Sequence, residues 1–139
     1  MWQAALACGA CAALTALSFV ATPVKFIAEG VPIEHLLAIG RVTFRASLAV
    51  EISLILPLAL LLRGRARISV MAAAVLLAVQ WLALMPSLDA RTLARIAGQP
   101  VGPAPWHIWW IIADLARIGI YGSVAVGALR RLAITTEPK

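Results

Sequence analysis

The chain has 139 residues, of which 63% are hydrophobic and only 13% are charged, and its formal net charge is +6. Soluble domains carry about 25% charged residues, so this composition excludes an ordinary soluble protein. It indicates one membrane domain. A helix that crosses a membrane needs about 20 apolar residues, and four such helices with short loops account for the length.

The apolar segments predict four transmembrane helices in chain order. Span 1 is predicted at 2–27, span 2 at 36–62, span 3 at 68–88 and span 4 at 106–129. They are helices because a segment surrounded by lipid must satisfy its own backbone hydrogen bonds. The predicted fold is therefore an all-α integral membrane bundle, a single transmembrane domain over 1–139.

Residues 88–98 predict a separate helical segment that lies at the membrane interface. In this stretch apolar residues stand opposite Arg91 and Arg95, which is the pattern of an interfacial helix. Gly98 is expected to end it, and a link rich in proline then leads to span 4.

Arginine is concentrated on one predicted side of the membrane, whereas the other side balances bases with acids. Because cytoplasmic loops collect lysine and arginine, both termini are predicted to be cytoplasmic. The bases at span ends therefore serve topology, and no nucleic-acid partner is expected. The residues concerned are Arg63, Arg65, Arg67, Arg130, Arg131 and Lys139 on the first side, and Lys25, Arg91, Arg95, Glu29, Glu34 and Asp89 on the second.

Three tryptophans stand at the start of span 4, namely Trp106, Trp109 and Trp110. Tryptophan is enriched at membrane interfaces, so these residues predict an aromatic belt. An aromatic box for a ligand is the alternative interpretation.

Charged residues also stand inside the predicted spans. Such residues cost about 2.5–3.5 kcal/mol each at the bilayer centre, and they normally face the bundle interior and form pairs. Depths calculated from the helical rise of about 1.5 Å per residue predict two pairs, Arg45 with Asp114 and Glu51 with Arg117. Arg41 is shallow enough to reach the external interface.

Helical periodicity of about 100° per residue places these charges on facing sides of spans 2 and 4. The predicted polar seam can fix helix register, form a path for protons, ions or an anionic ligand, or bind another subunit. Its members are Arg41, Arg45, Glu51, Gln80, Asp114, Arg117 and Tyr121.

Two histidines and two cysteines are the remaining candidates for site chemistry. His35 and His107 open spans 2 and 4 and could ligate a metal or haem iron, although no cofactor is expected. Cys8 and Cys11 form a CxxC motif, which can bind metal or be redox-active. Their apolar, small-residue surroundings favour a role in helix packing.

The order of elements also fits a duplicated helical hairpin in parallel orientation. Span 1 carries Pro23 near its end and is followed by His35 at the start of span 2. Span 3 carries Pro86 near its end and is followed by His107 at the start of span 4.

The end of span 1 reads F-V-A-x-P-x-x-F, formed by Phe19, Val20, Ala21, Pro23 and Phe26, and a charged second span follows. This pattern resembles small bacterial four-helix membrane proteins related to the transmembrane-protein-205-like domain. The resemblance, which covers most of the chain, implies a four-helix fold and no enzyme activity.

The first expectation is a non-enzymatic accessory or structural protein of a bacterial inner membrane. It would pack in the lipid bilayer with itself or with a larger complex. The alternatives are a carrier or channel for a proton, ion or small solute, and a membrane subunit that binds haem or metal.

Overall fold

The structure is a computed structural model that describes the backbone of residues 1–136 and side chains as far as residue 134. Lys139, which contributed to the predicted orientation, lies outside these residues. Four long helices form the described chain, and no strand occurs within it: α1 Trp2–Ile27, α2 Ile33–Leu61, α3 Gly64–Ile96 and α4 Trp106–Thr136. Each is long and apolar enough to cross a membrane, which confirms the predicted all-α four-helix bundle.

The largest difference from the predicted spans is in α3. Residues 88–96 continue this helix without a break, so the structure does not form the separate segment predicted at 88–98. The predicted span 3 ends at residue 88, with Pro86 near its end and a charged loop after it. Gly98, with φ of +70°, does follow the helix end as predicted.

Two of the three helices that contain proline, α1 and α3, have a π-helical segment shortly before it, whereas α2 carries Pro57 within regular α-helix. In α1 this segment is Ala16–Ala21, before Pro23; in α3 it is Gln80–Leu84, before Pro86. A proline ring collides with the carbonyl four residues earlier in an α-helix, and in both cases that carbonyl lies within the π segment. The wider π turn lets each helix continue past its proline. The matched position of the two segments supports the duplicated hairpin, which stays a prediction.

The connections give the bundle two different ends. Residues 28–32 and 97–105 join helices at one end, called the loop end here. At the other, the termini end, Leu62 and Arg63 form a short connection to α3. Gly64 has φ of +59° at this turn, a conformation that glycine adopts without steric cost.

Neighbouring helices pack around a square. Helix α1 contacts α2 and α4, and α3 also contacts α2 and α4. Small buried residues of α1, including Ala4, Ala7 and Ala10, allow close approach of its neighbours. Helices α2 and α4 lie across the interior from each other and are parallel. Many large apolar side chains face outward, for example Leu56 and Leu60, whereas three charged side chains, Glu51, Asp114 and Arg117, are buried inside.

Candidate functional site

A pair of opposite charges crosses the centre of the bundle. Oε2 of Glu51, on α2, lies 2.8 Å from Nη1 of Arg117, on α4, and the two side chains are 3% and 1% exposed. This contact confirms the predicted Glu51–Arg117 pair. The two atoms are close, but their angle is not that of a hydrogen bond, so the contact is mainly electrostatic.

Asp114 is the second acid on the same arginine. Its Oδ1 lies 2.5 Å from Nη2 of Arg117, one turn further along α4, and accepts a hydrogen bond of 2.8 Å from Nε2 of Gln80. The predicted pair of Asp114 with Arg45 is wrong. Arg117 reaches Asp114 within its own helix, because residues three positions apart lie on the same face.

Gln80 and Tyr121 complete this cluster, which we call the central network: Glu51, Gln80, Asp114, Arg117 and Tyr121. The Tyr121 hydroxyl donates a hydrogen bond of 2.6 Å to Oε1 of Glu51. Gln80 also donates to the carbonyl of Trp110 at 3.1 Å. All five side chains are buried, and periodicity had placed Asp114, Arg117 and Tyr121 on one face correctly.

Some buried polar atoms of the central network form no hydrogen bond within the described chain. Oε1 of Gln80 and Nε of Arg117 have no hydrogen-bond partner within the described chain. A buried polar atom without a partner is costly, about 1–3 kcal/mol, and deserves an explanation in functional terms.

A second ionic cluster lies nearer the loop end, around Asp89 of α3. Nε of Arg41 lies 2.9 Å from Oδ1 of Asp89, and Nη2 of Arg45 contacts the other carboxylate oxygen. The predicted seam is therefore two clusters rather than one. Arg41 pairs with an acid instead of reaching only for the external interface.

Asp89 is the site residue that sequence reasoning missed. It had been assigned to the external loop because span 3 was ended at residue 88. In the structure Asp89 stands seven residues before the end of α3, and Arg41 stands eight residues after the start of α2. Their depths match, so the same depth argument would have identified the pair from the correct helix boundary.

Two adjoining cavities open beside these clusters. The first, of about 270 Å³, reaches from Phe19 and Ser18 on α1 to Trp110 and Asp114 on α4. The second, of about 160 Å³, lies between Lys25, Arg41 and Asp89. The two share Thr22, Phe26, Phe44 and His107 in their walls, and together we call them the loop-end cleft.

A further cavity, of about 170 Å³, lies at the termini end of the bundle. Polar side chains line it, among them Gln3, Ser69 and Ser123, together with Val124 on the buried face of α4. Val124 stands one turn beyond Tyr121. The central network thus lies between a cavity at the loop end and one at the termini end.

The aromatic belt predicted at span 4 is only partly formed. Trp106 and Trp109 are exposed, but Trp110 is 3% exposed. Its ring packs against Phe44, with 5.0 Å between centroids. Trp110 faces inward because it shares the α4 face that carries Asp114.

The histidines and cysteines occupy different environments. Both histidines are exposed, but His107 also lines the loop-end cleft, with its ring 6.4 Å from that of Phe44. No group of three or more potential metal ligands occurs among the described residues. Cys8 and Cys11 are free thiols, and Cys11 packs on α4, where its Sγ lies 3.8 Å from the carbonyl oxygen of Ile118.

No family model, curated protein or solved structure matches this chain.

Proposed function

We propose that this protein is a proton-linked membrane carrier rather than an enzyme. In this proposal a small solute binds in the loop-end cleft, and a proton binds to the carboxylate pair of the central network. The observation that carries the proposal is the position of Asp114, which borders the cleft and shares one guanidinium with Glu51.

The charges of the central network favour proton binding. Glu51 and Asp114 together bring two negative charges, and Arg117 brings one positive charge. Gln80 and Tyr121, the other polar members, carry none, and the buried residues of α1 are apolar. An unbalanced charge in an apolar interior is strongly unfavourable, so one proton bound by either carboxylate would restore neutrality.

The two ends of the bundle support a carrier rather than an open channel. A cavity lies on each side of the central network, and Arg117 and Tyr121 close the space between them. A solute cannot pass this closed region without a conformational change. Carriers work by exposing one site alternately to either side, and the π segments at Ala16–Ala21 and Gln80–Leu84 are of a type found at functional positions.

Proton movement in liposomes tests this function. The protein is reconstituted with a pH-sensitive dye inside, and gradients of permanently charged probes are applied from outside: benzenesulfonate as an anion and trimethylphenylammonium as a cation. We expect one of them to move protons with the wild-type protein. Asp114→Asn and Glu51→Gln should each reduce that rate about tenfold or more, the usual scale for a group that handles protons.

Glu34→Gln is the matched control, because Glu34 is an exposed acid in the first turn of α2. It should keep the wild-type rate. Infrared difference spectra between acid and neutral pH should also contain the carbonyl band of a protonated carboxyl group, and the double variant should lose it. A chain that moves no protons with either probe and lacks this band is not a proton-linked carrier.

An accessory or structural role in a bacterial inner membrane is the second candidate. It is favoured by one observation: Glu51 and Asp114 both pair with an arginine of the same chain. Ion pairs whose only role is to align the helices need no partner from outside the chain. Under this candidate the protein would assemble with itself or with a larger complex. Co-purification in mild detergent and the oligomeric mass in nanodiscs would identify such assembly.

A further inference from the structure

Lys25 is a basic residue of the loop-end cleft that neither ionic cluster uses. It lies in the last turn of α1, and its Nζ is 5.0 Å from the ring centroid of Phe26 and 5.6 Å from that of Phe44. Within the described part of the chain, no carboxylate forms an ion pair with it. Its ammonium group thus lies against two aromatic rings and has no anionic partner among the residues that the structure describes.

At the Lys25 end of the cleft, positive charges outnumber negative ones. The central network has the reverse balance, with two acids and one base. Asp114 also borders the cleft but belongs to the central network. Near Lys25, three bases of the described residues, Lys25, Arg41 and Arg45, accompany one acid, Asp89, which already binds both arginines. Arg45 is 57% exposed and can be solvated outside the cleft. Lys25 and Arg41 border the cleft itself, so a negatively charged group of a ligand could contact both cations there.

Gly40 lets the lysine take this position. A Cβ atom added to Gly40 would collide with Nζ of Lys25. Any other residue at this buried position on α2 would displace the ammonium group, which is the flexible end of the lysine side chain. The glycine therefore sets where the positive charge stands in the cleft.

The remainder of the cleft is apolar and aromatic. Phe19, Phe26, Phe44 and Trp110 form much of the wall between Lys25 and Asp114. An apolar pocket with a few charged groups at one end is typical of sites for amphipathic small molecules. The cleft thus provides cations for an acidic group and aromatic surface for an apolar body.

We infer that the loop-end cleft binds a small organic anion, with its acidic group at Lys25 and Arg41 and its apolar body against Phe26 and Phe44. The inference names the solute class of the proposed carrier and rests on that function for its role as a substrate. Binding itself is measurable without transport.

The test uses 4-(trifluoromethyl)benzenesulfonate as a permanently anionic probe, observed by fluorine NMR, with the protein in nanodiscs of neutral phosphatidylcholine. We expect the anionic probe to bind saturably to the wild-type protein. The uncharged sulfonamide analogue should not bind. Loss of one charged hydrogen bond weakens binding about tenfold or more. Lys25→Gln should show that loss, and Lys25→Arg should restore most of the affinity.

Two further variants separate a local site from general electrostatics. Gly40→Ala keeps the charge but displaces it and should also weaken binding. Arg95→Gln removes an exposed positive charge at the same end of the bundle and should not. Equal losses in Lys25→Gln and Arg95→Gln would overturn the site. So would complete displacement of the probe when phosphatidylglycerol is added to the nanodiscs, since the occupant would then be a lipid headgroup.

The outcomes also distinguish this inference from the proposed function. Binding of the anion at Lys25 without any proton movement would retain the site and reject the carrier. Proton movement driven only by the cationic probe, with no anion binding, would retain the carrier and reject the anion site. Size-exclusion profiles and thermal unfolding show whether each variant is folded before binding is compared.

Discussion

Glu51 and Arg117 form a contact of 2.8 Å across the interior of the bundle, from two helices that lie opposite each other. Each neighbouring pair of helices is held by close packing of side chains, but this diagonal is bridged by long charged side chains. A carboxylate and a guanidinium can span that distance and still be shielded from lipid. We therefore expect the pair to hold α2 and α4 in alignment along the bundle.

The stability losses caused by replacing the two members of this pair should not be additive. Arg117→Met leaves Glu51 and Asp114 without their basic partner, which costs about 3–5 kcal/mol. In Glu51→Gln the arginine keeps Asp114 as its partner, so the loss should be smaller. The double variant should lose less than the sum of the single losses, because coupled residues are non-additive. The free energy of unfolding in detergent is measured for the two single variants and the double variant.

Ser53→Ala is a suitable control for that cycle, because Ser53 is exposed on the same helix. It should change stability by less than about 0.5 kcal/mol. Strictly additive losses would show that the contact does not hold the helices. A stable double variant that still moves protons would favour the accessory role over the carrier.

The cluster at Asp89 should contribute less stability than the central network. Asp89→Asn removes the partner of both Arg41 and Arg45, and pairs with this degree of exposure contribute about 0.2–1 kcal/mol each. We expect the two pairs together to contribute about 0.4–2 kcal/mol to the free energy of unfolding, measured by thermal or chemical unfolding. Glu34→Gln should be nearly neutral, and an equal effect of both substitutions would mean that the Asp89 contacts carry no stability.

Replacing each cysteine by leucine should affect stability differently, because Cys11 is partly buried and Cys8 is exposed. Cys11 packs against α4, where its Sγ lies 4.0 Å from a Cβ built on Gly122, so Cys11→Leu should overpack the contact and cost about 1–3 kcal/mol. Cys8 is exposed, and Cys8→Leu should be neutral. The double replacement by alanine should leave fold and activity nearly intact. Loss of a bound metal in that variant would show that the motif is chemical.

Reporter fusions should define the orientation of the bundle. Fusions after Arg65 and after Lys139 should read cytoplasmic, and a fusion near Gly98 should read external, because arginines are concentrated at the termini end. Cleavage by an added protease, accessible only from outside, provides an independent check at residues 97–105. An external reading at Arg65 would reverse the orientation and place the loop-end cleft on the cytoplasmic side.

Depth and periodicity together were sufficient to identify the partner of Glu51. A charge inside a long helix must face the interior, and a partner on a parallel helix must stand at a similar depth. The same argument failed for Arg45 for two reasons. Arg117 competes for Asp114 within its own helix, and Asp89 was placed outside the membrane by an incorrect helix end.

The amino-acid sequence by itself determined the four helices, their order and the need for buried charge pairs. These features follow from local quantities, namely the length of apolar segments and the cost of charge in lipid. Only the tertiary structure decided which acid each arginine meets, that Trp110 faces inward and that Lys25 stands beside Gly40. These depend on packing between distant segments, and on the π turn before Pro86, which lets α3 continue through the proline and carry Asp89 to the arginines of α2.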